Sequence, residues 1–183
     1  MPVLLCAAVV APAAEPLLVQ AHRQGDAVQV QAQALIRAPH DLIWNTLTDY
    51  DHLAEFVPGI SRSQLLHRSG RTSTVEQVGK ARLWFFTYRI EVVVESTERP
   101  PNVIGIHMIK GNLRQLEGSY QLDKVDGKDN EFLLHWSGVI EPAISLPLAI
   151  AVPLMRASIA EQFTGMVNEI ERREALRVQG KAG

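Results

Sequence analysis

The stretch Ala151 to Arg177, AVPLMRASIAEQFTGMVNEIERREALR, is the one long helical pattern in the chain, and nearly everything before it reads as strand. Its apolar residues Met155, Ile159, Phe163, Met166 and Ile170 recur at spacings of four, four, three and four, so a 3.6-residue repeat sets them on one face. Arg156, Glu161, Asn168, Glu171 and Arg172 lie opposite. At 1.5 Å per residue such a helix runs about 40 Å. Its apolar face requires a cover, and a sheet can wrap around it.

Working outward, 183 residues with 46% apolar content and a formal net charge of -2 suffice for one domain with a real core, expected over residues 24–178. No Lys/Arg run interleaved with aromatics provides a phosphate-binding field, so no nucleic acid is expected as a partner. No stretch reaches the ~18 apolar residues of a membrane span. Val3 to Ala11 is a short apolar run followed by small residues up to Ala14, which reads residues 1–14 as a secretory leader or an apolar N-terminal tail, no Lys or Arg preceding the run. A genuine leader implies a periplasmic or secreted protein; otherwise the chain is cytoplasmic. Cys6 is the single cysteine, so a processed chain has no thiol, disulfide or Cys-based metal site.

A polar linker is expected near His22 to Asp26, and Val28 to Ile36 then alternates apolar and polar with period two, the pattern of a strand with one wet face. Pro39 suits the first turn of a short helix through Ile43, Trp44 and Leu47, and a second short helix follows over His52 to Phe56, ended by Pro58-Gly59. Beyond Ile60 the chain is nearly all strand, punctuated at Ser69-Gly70, Arg99 to Asn102, Lys110 to Asn112 and Asp126-Gly127. Trp84 to Val94, Ile104 to Met108, Leu116 to Leu122 and Phe132 to Ile140 share one parity, with the even-numbered residues facing inward. For that parity to survive Gly111, the loop there must hold an odd number of residues.

Ala38-Pro39, Trp44, Leu47-Thr48-Asp49-Tyr50, Phe56-Val57-Pro58-Gly59-Ile60 and Leu116-Glu117-Gly118 resemble the polyketide cyclase/dehydrase and coenzyme Q-binding families of START-like (SRPBCC) domains. The resemblance spans nearly the whole chain after the N-terminal run. It implies an α+β helix-grip fold: a curved antiparallel sheet around a long C-terminal helix, with two short helices after the first strand. The Asp-Tyr and Phe-x-Pro-Gly motifs mark a helix-to-strand corner rather than chemistry.

A strongly curved sheet and a helix laid across it cannot meet along their whole length, so a cavity is expected between them. Its candidate ligand-binding wall is the inward set Trp84, Phe86, Tyr88, Ile106, Met108, Tyr120 and Trp136 from the sheet with Met155, Ile159, Phe163 and Met166 from the helix. The alternative is that these residues simply fill a core. Trp44 is read as a packing anchor. Gly118 is read as a place where the sheet bends or the helix comes close. Pro142, Pro147 and Pro153 divide an apolar connection into the helix start, a candidate lid.

The six histidines have no metal-ligand spacing, and His107 is expected opposite Glu117 on the outer face, with His135 two strands away. No Gly-rich nucleotide loop, nucleophile elbow or inward carboxylate pair is found, and no catalytic residue, metal or cofactor is assigned. The favoured reading is a monomeric, noncatalytic carrier or sensor of a small hydrophobic ligand that is lipid-, quinone- or polyketide-like. The alternatives are a cyclase/dehydrase using the same cavity, with only Tyr88 and Tyr120 as weak acid/base groups, and a regulatory interaction protein. Trp84 and Phe85 point to opposite faces of an extended segment, which suggests an exposed aromatic tip for peripheral membrane contact; a buried strand with a bulge is the other reading.

Overall fold

A computed structural model describes residues 17–83, 86–144 and 147–181, and in it eight antiparallel strands form one sheet in the order β1-β2-β8-β7-β6-β5-β4-β3. The strands are β1 (Leu18–Gln24), β2 (Ala27–Arg37), β3 (Ile60–Ser69), β4 (Thr72–Leu83), β5 (Phe86–Arg99), β6 (Val103–Gly111), β7 (Leu113–Lys124) and β8 (Glu131–Pro142). Helices α1 (His40–Leu47) and α2 (Leu53–Phe56), with a 3₁₀ turn between them, follow β2, and α3 (Leu148–Lys181) ends the chain. This is the expected α+β helix grip. The expected leader, residues 1–14, lies outside the described residues.

Two expectations are corrected at the ends of the fold. The polar segment before Val28 is not a linker: Leu18–Gln24 pairs with β2 along its whole length, and the hairpin turns at Gly25-Asp26. Its polar residues alternate on the edge of the sheet, where water can reach them. Helix α3 is also longer than Ala151 to Arg177, at 34 residues or about 51 Å, and Pro153 lies inside it. Proline there removes one donor, to the Ala149 carbonyl, on an exposed face where water can replace it.

The two-residue period holds along the sheet. Val28, Val30, Ala32, Ala34 and Ile36 are buried on β2, Val92 and Val94 on β5, Ile104 on β6, and Phe132, Leu134 and Trp136 on β8. His107 with Glu117 is the last β6–β7 pair, so nine residues, 108–116, lie between the paired positions, an odd number as parity requires. The same register places the His107 ring 3.3 Å from Glu117, while His135 lies 3.5 Å from Asp123 on the same outer face. Leu83 pairs with Phe86, so the chain reverses there and the reading of a continuous buried strand is overturned. Trp84 and Phe85, the expected aromatic tip, lie outside the described residues.

The lower half of α3 is held to the α1–α2 corner by a network of charges. Glu169 accepts hydrogen bonds from Arg172 (2.6 Å) and Arg173 (2.6 Å), Arg173 reaches on to Asp49 (2.8 Å), and Asp49 also accepts from His52 (2.6 Å). The Arg173 guanidinium lies over the Phe56 ring at 5.4 Å. Hydrogen bonding from Arg172 outweighs the opposing effect of burial and, with Arg173, holds the Glu169 carboxyl down to about 2. Because that value lies below the unfolded one, the stabilisation is complete above the ordinary carboxylate range and is lost as pH falls through it toward about 2. Glu169→Gln is expected to lower the melting temperature at pH 7, with the gap to wild type closing near pH 2; a gap independent of pH in thermal melts would contradict this.

Candidate ligand cavity

Helix α3 packs on β1, β2, α1 and α2 and makes no comparable contact with β4 to β7. The sheet curves away from it there. Between them lies a partly open cavity of about 240 Å³, just under the roughly 300–1,000 Å³ of typical small-molecule sites. Leu47, Tyr50, Leu53 and Val57 close one end; Leu113, Pro142, Ile144 and Leu154 surround the other. Ile90, Val92, Val94 and Ile104 form the middle of the sheet wall.

Of the residues read from the sequence as its wall, Tyr88, Ile106, Tyr120 and Trp136 line it from the sheet, and Met155, Ile159, Phe163 and Met166 from the helix. The helix stripe becomes more buried along its length, from half-buried Met155 and Ile159 to nearly inaccessible Phe163, Met166 and Ile170. Met108 does not line the cavity. It pairs with Val94 beside a bulge in β6, beyond the last β6–β7 pair, and its sulfur lies next to Gly111. Trp84 lies outside the described residues, as does the side chain of Phe86.

Trp136 explains two glycines. Gly118 and Gly138 are directly paired across β7 and β8, and a Cβ at either would come within 2.3 Å and 2.7 Å of the indole. The ring therefore lies flat on bare backbone. This replaces the expectation that Gly118 answers a bend or the approach of the helix. Tyr120, directly opposite Trp136, stacks obliquely against it with centroids 4.8 Å apart. Trp44 is outside the wall: its indole donates to Glu98 (3.2 Å) and stacks on His40.

All three tyrosines of the chain line the cavity. The Tyr50 hydroxyl is engaged with Ser96 (2.8 Å), and that of Tyr88 donates to the Asn112 carbonyl (2.8 Å). Asn112 also bonds the β5 backbone through its side chain, at Glu91 N (2.9 Å) and Arg89 O (2.7 Å), bracing the place where β6 and β7 part. Tyr120 Oη has no hydrogen-bond partner among the described residues, and burial pushes its phenol up to about 12. The residue nonetheless keeps accessible surface and lines the cavity. Lys80, exposed on β4, is the single charged residue among the described lining residues.

A family model described as polyketide cyclase/dehydrase and lipid transport matches residues 36–167, more than half of the chain. The protein belongs to this family. No curated protein sequence matches it. Among solved structures, members of the wider START group share its fold. The STAR-related lipid transfer protein of Xanthomonas axonopodis superposes with a TM-score of 0.72 at 12% identity, covering 88% of this chain and 97% of that one. A START superfamily protein of Mycobacterium smegmatis gives 0.69 at 14% identity, over 79% and 97% of the two chains. The Zhui aromatase/cyclase of Streptomyces sp. R1128 gives 0.62 at 18% identity, over 80% and 95%. At such identities the likeness is one of fold. Within the polyketide cyclase/dehydrase and lipid transport family, the wall chemistry must therefore be read from this chain itself.

Sequence reading did not single out Gly165 or the polar residues Gln77, Ser158 and Gln162. A Cβ at Gly165 would lie 2.3 Å from the Phe56 carbonyl oxygen and 2.4 Å from Pro58, so glycine lets α3 rest directly on the corner after α2. Nothing local to the helix announces that contact. Gln162 and Ser158, hydrogen-bonded at 3.1 Å, join Gln77 in the wall.

Proposed function

We propose that the protein binds a small, mainly apolar molecule between α3 and the curved half of the sheet, as a carrier or sensor rather than a catalyst. The observation that supports this is the composition of the wall. Aliphatic and aromatic side chains make most of it, and among the described residues no carboxylate or imidazole lines it. General acid–base chemistry needs a group that exchanges protons near working pH. Tyr120, with its phenol pushed up to about 12, keeps its proton there. Some structural relatives are named aromatase/cyclases, and a cyclase acting here would have to work by shaping its substrate.

Titration with N-phenyl-1-naphthylamine, a neutral fluorescent probe, tests the reading. Ile159→Trp adds bulk on the cavity side of α3 and is expected to weaken probe binding about tenfold or more while the melting temperature stays within a few degrees of wild type. Unchanged affinity in a folded variant would remove the site from between helix and sheet. Solvent extraction of protein purified from its native source, followed by mass spectrometry, should yield one recurring apolar compound.

A further inference from the structure

We infer that the bound molecule carries an uncharged hydrogen-bond acceptor, a ketone-, ester- or amide-type carbonyl, which docks at the Tyr120–Trp136 pair. This rests on the proposed binding function and specifies its ligand chemistry. The two residues face each other across β7 and β8, and both line the cavity. Two of the three cavity tyrosines have their hydroxyls taken up by the protein, at Ser96 and Asn112, whereas Tyr120 Oη has none among the described residues. The Trp136 indole nitrogen, also without a partner, has no accessible surface, whereas the Tyr120 hydroxyl is not closed off in this way, so the donor open to a ligand is the phenol. A phenol donates readily, so its complement is an acceptor. Leaving that donor unmade against a bound molecule is costly, and a carbonyl oxygen supplies the lone pair it needs.

The charge of the ligand follows from what surrounds that pair. Lys80, the single charged residue of the described lining, is exposed on β4, three strands from β7 in the sheet order. A carboxylate placed at Tyr120 would lose its hydration with no counter-charge nearby. A pure hydrocarbon would leave the Tyr120 donor empty. A neutral carbonyl avoids both costs.

The test compares 2-acetonaphthone with 2-ethylnaphthalene, near-isosteres that differ in a carbonyl, on wild type and Tyr120→Phe. The ketone is expected to bind wild type about tenfold more tightly than the hydrocarbon, an advantage Tyr120→Phe abolishes without weakening the hydrocarbon. That advantage should persist from about pH 6 to pH 9, because the phenol stays protonated throughout. The variant should melt no lower than wild type, since its lost hydroxyl bonds nothing among the described residues. Equal affinities in wild type, equal weakening of both probes in the variant, or a clear fall in its melting temperature would each overturn the inference while leaving apolar binding intact. Failure of both probes and of N-phenyl-1-naphthylamine to bind wild type would overturn the binding function itself.

Discussion

Gly165→Ala is expected to destabilise the protein by about 3 kcal/mol, at the upper end of what overpacking costs. For a chain of this length that is a fall of roughly 6–12 °C in melting temperature. The added methyl would meet a backbone carbonyl at 2.3 Å and the Pro58 ring at 2.4 Å, and neither can rotate away as a flexible side chain could. Relief requires α3 to lift from the corner, which also strains the Asp49–Arg173 pair anchoring the same end of the helix. The cavity height depends on that seat, so probe affinity should change in parallel with stability. Gly180→Ala, in the last turn of α3 with nothing within 4 Å of its added Cβ, is the control and should be neutral or slightly stabilising. If the two variants melt alike in calorimetry, Gly165 is not a close-packing site.

Ile106→Arg is expected to cost at least a hundredfold in affinity for N-phenyl-1-naphthylamine and about 3 kcal/mol of stability. Ile106 sits on the inward face of β6, directly opposite Gly118, over which the Trp136 indole lies. An arginine there enters a wall whose described residues hold no carboxylate to pair with it. Ile109→Arg on the same strand changes an exposed side chain and should leave both quantities near wild type. Equal effects from the two variants in parallel titrations and melts would mean that inward parity does not define the wall.

Much of this geometry was legible because it is encoded locally. A two-residue side-chain period needs only neighbouring residues to declare itself, and it led correctly to the inward face of β2, β5, β7 and β8, to the odd connection after His107, and to the His107–Glu117 pair. The spacing of Met155, Ile159, Phe163, Met166 and Ile170 likewise located the face of α3 that turns to the sheet. Local signals were weaker at ends. Leu18–Gln24 is too polar to announce a strand by itself, and becomes one because β2 offers it an open edge.

Periodicity by itself therefore determined the long helix, the inward faces and a sheet-and-helix set of which Tyr88, Ile106, Tyr120, Trp136, Met155, Ile159, Phe163 and Met166 surround the cavity, while the family resemblance implied the helix grip. Tertiary structure alone decided that Met108, paired with Val94 beside a bulge, packs against the core without lining the cavity, that Gly118 and Gly138 serve as a bed for Trp136, that Gly165 seats α3, and that Tyr120 is the tyrosine whose hydroxyl has no partner among the described residues. Each of these depends on atoms brought together from distant parts of the chain, Tyr50 with Ser96, Tyr88 with Asn112, Gly165 with Phe56. A repeat in the sequence states which way a side chain points; only the packed fold states what it meets.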